Sequence, residues 1–301
     1  MPPMTKNLLV VNFLAFVATW VLQRSGIDLT SLLGLHFFLA SDFRIYQFLT
    51  YMFLHGGFAH LFFNMFALWM FGGVIERVWG SKKFLFYYIV CGLGAGFTQE
   101  LVQYADYMIQ DIPSYQYVNA GGIQMTTEAY INLWTTIGAS GAVYGILLAF
   151  GMIFPNERLF IIPFPFPIKA KWLVVGYVAI ELFSAMSGPG DGVAHMAHLG
   201  GMLFGFLLIR YWQKHPDSSQ RFGRNKGQEF FDNMKRKFDE RQKNQRMKAK
   251  QTNHRETDEE YNARQRQNQE EIDAILDKIR KSGYDSLTKE EKRKLFEQSH
   301  K

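Results

Sequence analysis

Apolar residues in the first two thirds of this chain come in long unbroken runs rather than in the stripes or alternations of a soluble protein. Six runs stand out, at residues 8–22, 58–75, 84–102, 138–154, 172–186 and 193–212. Crossing about 30 Å of hydrocarbon takes roughly 20 helical residues, so the pattern predicts six membrane helices, some of them short. Lys6 precedes the first run as it would in a signal peptide, but no small-x-small cleavage site follows, since Ala18-Thr19-Trp20 leads on into Val21-Leu22-Gln23-Arg24. We read that run as a retained helix. The fourth run opens at Gly138-Ala139-Ser140. A helix that starts within the membrane must find partners in protein or water for its first amides, which predicts a hydrated pocket there.

From residue 213 onward the pattern reverses to Lys, Arg, Glu, Asp and Gln. The mean hydropathy of −0.10 is therefore an average over two unlike parts. We divide the chain into a membrane domain at 1–212, a basic linker or interfacial segment at 213–257 and a small helical hairpin at 258–301. Phe222, Phe230, Phe231 and Phe238 are spaced through the basic segment, which suits contact with anionic lipid. No nucleic-acid-binding motif accompanies the charge, and no nucleic acid is expected. In the tail, Ile272, Ile275, Leu276 and Ile279 form one helical stripe. Gly283 ends it, and Thr288-Lys289-Glu290-Glu291 is a capping box for a last helix bearing Leu295 and Phe296. Such a hairpin is expected to dock a protein partner, a neighbouring copy or the membrane domain.

Charge orients the helices. Arg77, Lys82, Lys83, Arg158, Lys169, Lys171, Arg210 and Lys214 mark cytoplasmic ends. Residues 99–136 carry Glu100, Asp106, Asp111 and Glu128 without Lys or Arg, and the 188–192 loop has no basic residue either, so both face outward. Six crossings then leave both termini in the cytoplasm and Ser140 near the outer face. Asn119-Ala120-Gly121-Gly122 predicts a turn in the long outer segment.

Polar groups inside hydrocarbon are costly and mark function by default. Ser140 opens the fourth helix and His198 lies in the sixth; a histidine is the residue type that can take a serine's proton at neutral pH. His60 and Asn64, four apart, share one face of the second helix. With the amide of Ser140 they could hold the oxyanion of an acyl transfer, each donor ordinarily lowering the barrier by about 3 kcal/mol. Each residue has a plainer reading. Ser140 could be a small residue at a helix crossing. His195 and His198, three apart, could be metal ligands with His55 or His60, but no HExxH is present, and we expect neither metal nor cofactor. His55 reads as a structural hydrogen-bonding residue, and Glu181 as a bracing hydrogen bond near the active-site side. Cys91, the only cysteine, cannot form an internal disulfide.

In combination these motifs resemble the rhomboid family of intramembrane serine proteases. Gly138-Ala139-Ser140-Gly141 matches GxSG, the run from Ala197-His198 through Gly201 to Gly205 matches AHxxGxxxG, and His60 through Asn64 matches HxxxN. Gly72 through Glu76 to Gly80 matches GxxxExxxG, which the resemblance makes a structural bracket at the cytoplasmic end. Many members carry a Trp-Arg pair in the first outer loop, where this chain has Phe43-Arg44. The resemblance implies an all-α integral membrane protein, a six-transmembrane-helix rhomboid-like bundle with a cytoplasmic helical tail. It implies Ser140 as nucleophile and His198 as base in a dyad without a third carboxylate. Tyr144 would stack on the imidazole, and Gly201 and Gly205 would let the two helices approach. Substrates would be single membrane helices of other proteins, cut near their outer end after a small residue in a bacterial inner membrane. Two rivals remain: a non-proteolytic protein of the same fold that binds or escorts membrane proteins, although such relatives generally lack the Ser or the His, and a transporter, which the absence of an internal repeat disfavours.

Overall fold

Each of the six apolar runs folds into a helix. In a computed structural model that describes residues 1–159, 167–186, 193–215, 236, 240 and 258–299, these are α1 Pro3–Gln23, α2 Phe58–Trp79, α3 Ser81–Ile109, α4 Ser140–Ile153, α5 Ala170–Met186 and α6 His195–Lys214. The chain divides into two units, Met1–Phe230 and Phe231–Lys301. The expected loop at 188–192 and the phenylalanines of the basic segment lie outside the described residues.

The first unit is inverted relative to a soluble protein. Phe13, Leu14 and Trp20 on α1, Phe62, Phe63 and Trp69 on α2, Ile180 and Phe183 on α5, and Leu203 and Leu207 on α6 are exposed, while Asn12, Glu76, Glu100, Glu181 and His198 are buried. Contiguous apolar surface of this kind is the signature of contact with lipid. Among the described residues α1, α2 and α3 are each long and apolar enough to cross a membrane. At 14 residues, α4 reaches about 21 Å, and α5 is also short. α6 has 20 residues but includes His195, His198, Arg210 and Lys214. The six expected helices are thus present, whereas full-length apolar spans number three among the described residues. α2 is interrupted by a π-helical turn at Leu68–Gly72.

α6 packs against α3 and α4, and α3 against α4, so the serine and histidine helices occupy the centre. Two polar clamps fix the periphery. Glu76, 2% exposed, accepts hydrogen bonds from the amides of Met4 (2.9 Å) and Thr5 (2.6 Å) and from the hydroxyls of Thr5 (2.7 Å) and Ser81 (2.5 Å). Those amides are the orphan donors of the α1 N-terminus, and a carboxylate also suits the positive end of the helix dipole. One side chain therefore ties α1 to the junction of α2 and α3. At the same end Trp79 and Trp212 meet edge to face, with Lys83 over the Trp212 ring at 4.1 Å. Glu100 on α3 accepts the amide of Phe38 at 2.8 Å, holding the loop after α1.

The long outer segment is ordered. Tyr117–Ala120 and Ile123–Thr126 form an antiparallel hairpin, and Gly121 and Gly122 both have positive φ in the predicted turn, as a two-residue hairpin loop requires. Phe37, Ala40, Ile112 and Ile131 make a small apolar core that joins this segment to the loop after α1. Arg44, left without a role by the sequence, donates to the carbonyls of Ser41 (2.8 Å) and Phe43 (2.7 Å) and so closes its own turn.

The second unit contains α7 Asp258–Ser282 and α8 Lys289–Ser299, with Gly283 at φ +81° between them. Thr288 and Glu291 cap α8 reciprocally: the Glu291 amide donates to the Thr288 hydroxyl (3.3 Å) and the Thr288 amide to the Glu291 carboxylate (2.7 Å). Lys278 donates to both Glu291 oxygens at 3.0 Å and Lys294 to Glu271 at 2.7 Å. Ile275 and Leu287 are buried between the helices, but Leu276 of the expected stripe is exposed, because a single partner helix covers only a narrow face.

Two outcomes follow from these clamps. Glu76→Ala should lower the unfolding free energy in detergent by about 3 kcal/mol, the usual cost of leaving buried donors without a charged acceptor, read as a fall in Tm. The Thr288 amide, and then Lys278, hold the Glu291 carboxyl below its ordinary range. A carboxyl depressed in the folded state stabilises above its unfolded pKa, near 4.3, and that contribution is lost as pH falls through the folded value. Amide protection factors across residues 288–299, corrected for intrinsic exchange, should therefore fall below about pH 4, and Glu291→Gln should remove most of that acid sensitivity.

Candidate active site

Four local devices bring the site together. The short ladder of Leu35–His36 with Thr135–Thr136 leads the chain into the loop before α4, and Tyr51 accepts the Gly138 amide at 2.9 Å. Gly138 then turns at φ +132°, where a side chain would also stand 2.8 Å from Nε2 of His60. Only glycine satisfies both conditions. Ser140 follows as the first residue of α4, so its backbone N–H is one of the amides that the helix leaves unbonded and that attract negative charge.

The helix carrying His198 approaches backbone to backbone. A Cβ on Gly201 would lie 2.0 Å from the Gly141 carbonyl oxygen, and one on Gly141 would lie 2.3 Å from Cβ of Ala95 on α3. Gly205 makes room for Tyr87, whose hydroxyl would be 2.3 Å from an added Cβ and which donates to the Gly145 carbonyl at 2.8 Å. Small residues permit such contact in membrane bundles. The result is that Nε2 of His198 lies 2.8 Å from Oγ of Ser140, within reach for direct proton transfer.

The imidazole is held on two sides. Tyr144 stacks on its face with ring centroids 4.3 Å apart and planes 6° from parallel. On the opposite edge, Nδ1 lies 3.0 Å from Oε2 of Glu181, with its N–H directed off that oxygen. The same carboxylate contacts Nδ1 of His195 at 2.7 Å, and its other oxygen accepts the Tyr144 hydroxyl. Glu181 is the residue that sequence reasoning placed at the site's edge and left out of its chemistry. The signal was present, since a carboxylate at membrane depth needs partners, but nothing in the spacing indicated which ones.

The expected oxyanion donors line a common cleft of about 1290 Å³ with Ser140, Tyr144 and His198. Gly56 N–H points at Nδ1 of His60 at 3.4 Å, which leaves the proton on Nε2, the nitrogen that faces Gly138. Asn64 donates one amide hydrogen to the His60 carbonyl at 3.0 Å; the amide group has a second. His55 meets His60 edge to face at 5.0 Å, and neither of its ring nitrogens has an aligned partner among the described residues. It packs on the His60 ring.

Among the described residues, neither His55 nor His60 joins His195 and His198 closely enough to share a metal. Glu181, His195 and His198 instead place their donor atoms within 4.8 Å of one another. The 2.7 Å contact between His195 and Glu181 is a hydrogen-bond distance, shorter than the roughly 3.3 Å between neighbouring ligands on a tetrahedral zinc with about 2.0 Å bonds.

A part-buried serine at the start of a short central helix, bonded to a buried histidine of the neighbouring helix inside an inverted all-α bundle, defines a class: integral membrane proteins with a hydrolase-like site. Comparison with known proteins agrees. A family model described as Rhomboid domain matches residues 42–214, and the chain belongs to the rhomboid family. A second, described as a family of unknown function (DUF6576), matches residues 255–301. The chain is similar to "Rhomboid protease AarA" of Providencia stuartii, at 29% identity over 160 residues, 52% of each chain. It is also similar to "Rhomboid protease GlpG" of Yersinia pseudotuberculosis and of Yersinia pestis, at 26% identity over 170 residues, 56% of this chain and 48% of those proteins. It spans about half the length of these curated relatives.

Gly201→Val should separate α4 from α6 and abolish reaction of Ser140 with a fluorophosphonate. A Gly176→Ala control, where a Cβ meets nothing within 4 Å, should leave the labelling rate unchanged.

Proposed function

We propose that this protein is an intramembrane serine endopeptidase acting on transmembrane segments of other membrane proteins. The observation that carries the reading is the 2.8 Å contact between Ser140 Oγ and His198 Nε2 in a cleft within the helix bundle. His198 takes the Ser140 proton as Oγ attacks the scissile carbonyl, and the ring returns it to the leaving amine. The Ser140 amide, His60 and Asn64 receive the negative charge that develops on the carbonyl oxygen. Water then repeats the sequence on the acyl-enzyme.

The cleft joins these polar groups to Phe63 and Phe66 of α2 and Tyr177 of α5, apolar walls suited to a lipid-embedded chain. A helix must unwind locally to present a backbone carbonyl, so Gly or Pro near the cut favours cleavage. The cut falls after a small residue near the outer end of the substrate helix. The charge pattern supports cytoplasmic termini and a site open to the outer face of a bacterial inner membrane. The tail hairpin takes a protein partner.

Native protein in detergent should be labelled by a fluorophosphonate probe, and Ser140→Ala and His198→Ala should each reduce labelling and cleavage by about 10⁴-fold or more while leaving Tm within a few degrees. Labelling that survives in Ser140→Ala sinks the reading.

A further inference from the structure

We propose that Glu181 is the third member of the hydrolytic array, a positioning residue that holds His198 in the tautomer and orientation needed to take the serine proton. The inference rests on the Ser140–His198 hydrolase reading and deepens it.

Glu181 is 4% exposed on a helix of otherwise apolar character, and an isolated carboxylate in such surroundings is strongly disfavoured. Two of its three contacts bear on one ring, that of His198, and the third is to His195. Oε1 accepts from Tyr144, the residue stacked on the His198 face; Oε2 lies 2.7 Å from His195 and 3.0 Å from His198 itself. A brace between helices would need only the first. His195 sits three residues before His198 and so projects from the same face of α6.

The chemistry requires a group at that position. For Nε2 to accept the Ser140 proton it must be bare, so the neutral ring carries its hydrogen on Nδ1, the nitrogen that faces Glu181. When the proton moves from Ser140 Oγ to Nε2, the ring becomes a cation with both nitrogens protonated. An ionised carboxylate at 3.0 Å stabilises that cation, while its own proton count does not change. The proton later leaves Nε2 for the amine of the cleaved bond, and the ring returns to neutrality. Nδ1 and Oε2 stand 3.0 Å apart without an aligned hydrogen bond, and catalytic hydrogen bonds commonly tighten along the reaction. Glu181 does not line the cleft, so it acts through His198 and not on the substrate.

The test separates charge from shape. Glu181→Gln keeps the length of the side chain and an acceptor for Tyr144 but removes the charge, whereas Glu181→Asp keeps the charge and shortens the reach. Purified full-length protein is titrated with a fluorophosphonate probe to obtain the maximal inactivation rate and the half-saturating concentration separately. Glu181→Gln should lower the maximal rate by about 10²-fold with the half-saturating concentration within about twofold, and Glu181→Asp should recover about tenfold of that loss. A Gln variant that reacts like native protein, or that outperforms Asp, overturns the proposal and leaves Glu181 a brace. If Glu181→Gln does not fold, Tyr144→Phe decides, because it keeps the ring stack and removes the hydroxyl that anchors the carboxylate. Slower labelling at unchanged half-saturation then supports the proposal, and native behaviour overturns it. Failure of native protein to label removes the hydrolase reading and this one together, an outcome distinct from labelling that is indifferent to residue 181.

Discussion

The close contact of α4 and α6 is the constraint on which the rest depends. With the Gly141 carbonyl where a Gly201 side chain would have to be, the two helices touch through their backbones. Their packing is too tight to tolerate even one extra carbon. In lipid there is no hydrophobic force pressing helices together, so van der Waals contact between small residues has to do it. That contact sets the separation of Ser140 and His198, because both side chains project from the helices it joins. Tyr87, admitted by Gly205 and bonded to Gly145, reinforces the same crossing from α3.

A second constraint is the treatment of buried charge. Glu76, Glu100 and Glu181 are all within a few per cent of full burial, and each is satisfied differently. Glu76 gathers the amides of a helix start and two hydroxyls. Glu100 takes one amide from an outer loop. Glu181 is surrounded by two imidazoles and a phenol. The first two join segments distant in sequence, and backbone amides are fixed partners for that purpose. The third is paired with groups that can themselves change protonation, which sets it apart from the other two. Around all three, the lipid-facing aromatic and aliphatic surface of α1, α2, α5 and α6 supplies the apolar exterior.

Much of the site was legible because its motifs are short and helical. Four residues from His60 to Asn64 make one turn, so their shared face follows from spacing. The Gly-x-Ser-Gly start of α4 and the glycines of α6 carry their own geometry. The turn at Gly121-Gly122 and the Thr288–Glu291 cap were equally local. The role of Arg44, the orientation of Leu276 and the ring-on-ring contact of His55 with His60 were not. Each depends on which surface a neighbouring element covers, and spacing along one element is silent about that.

By itself the sequence determined the six apolar helices, the polar tail and the serine and histidine of the candidate site, because helix periodicity and the price of polarity in hydrocarbon operate within one segment at a time. Only the tertiary structure decided how far α4 extends into the bundle, that Ser140 and His198 meet at 2.8 Å, and that Glu181 reaches the far nitrogen of the same ring. Those facts join residues on three separate helices. Their distances are set by side chains that interdigitate between the helices, a quantity no single run of residues contains.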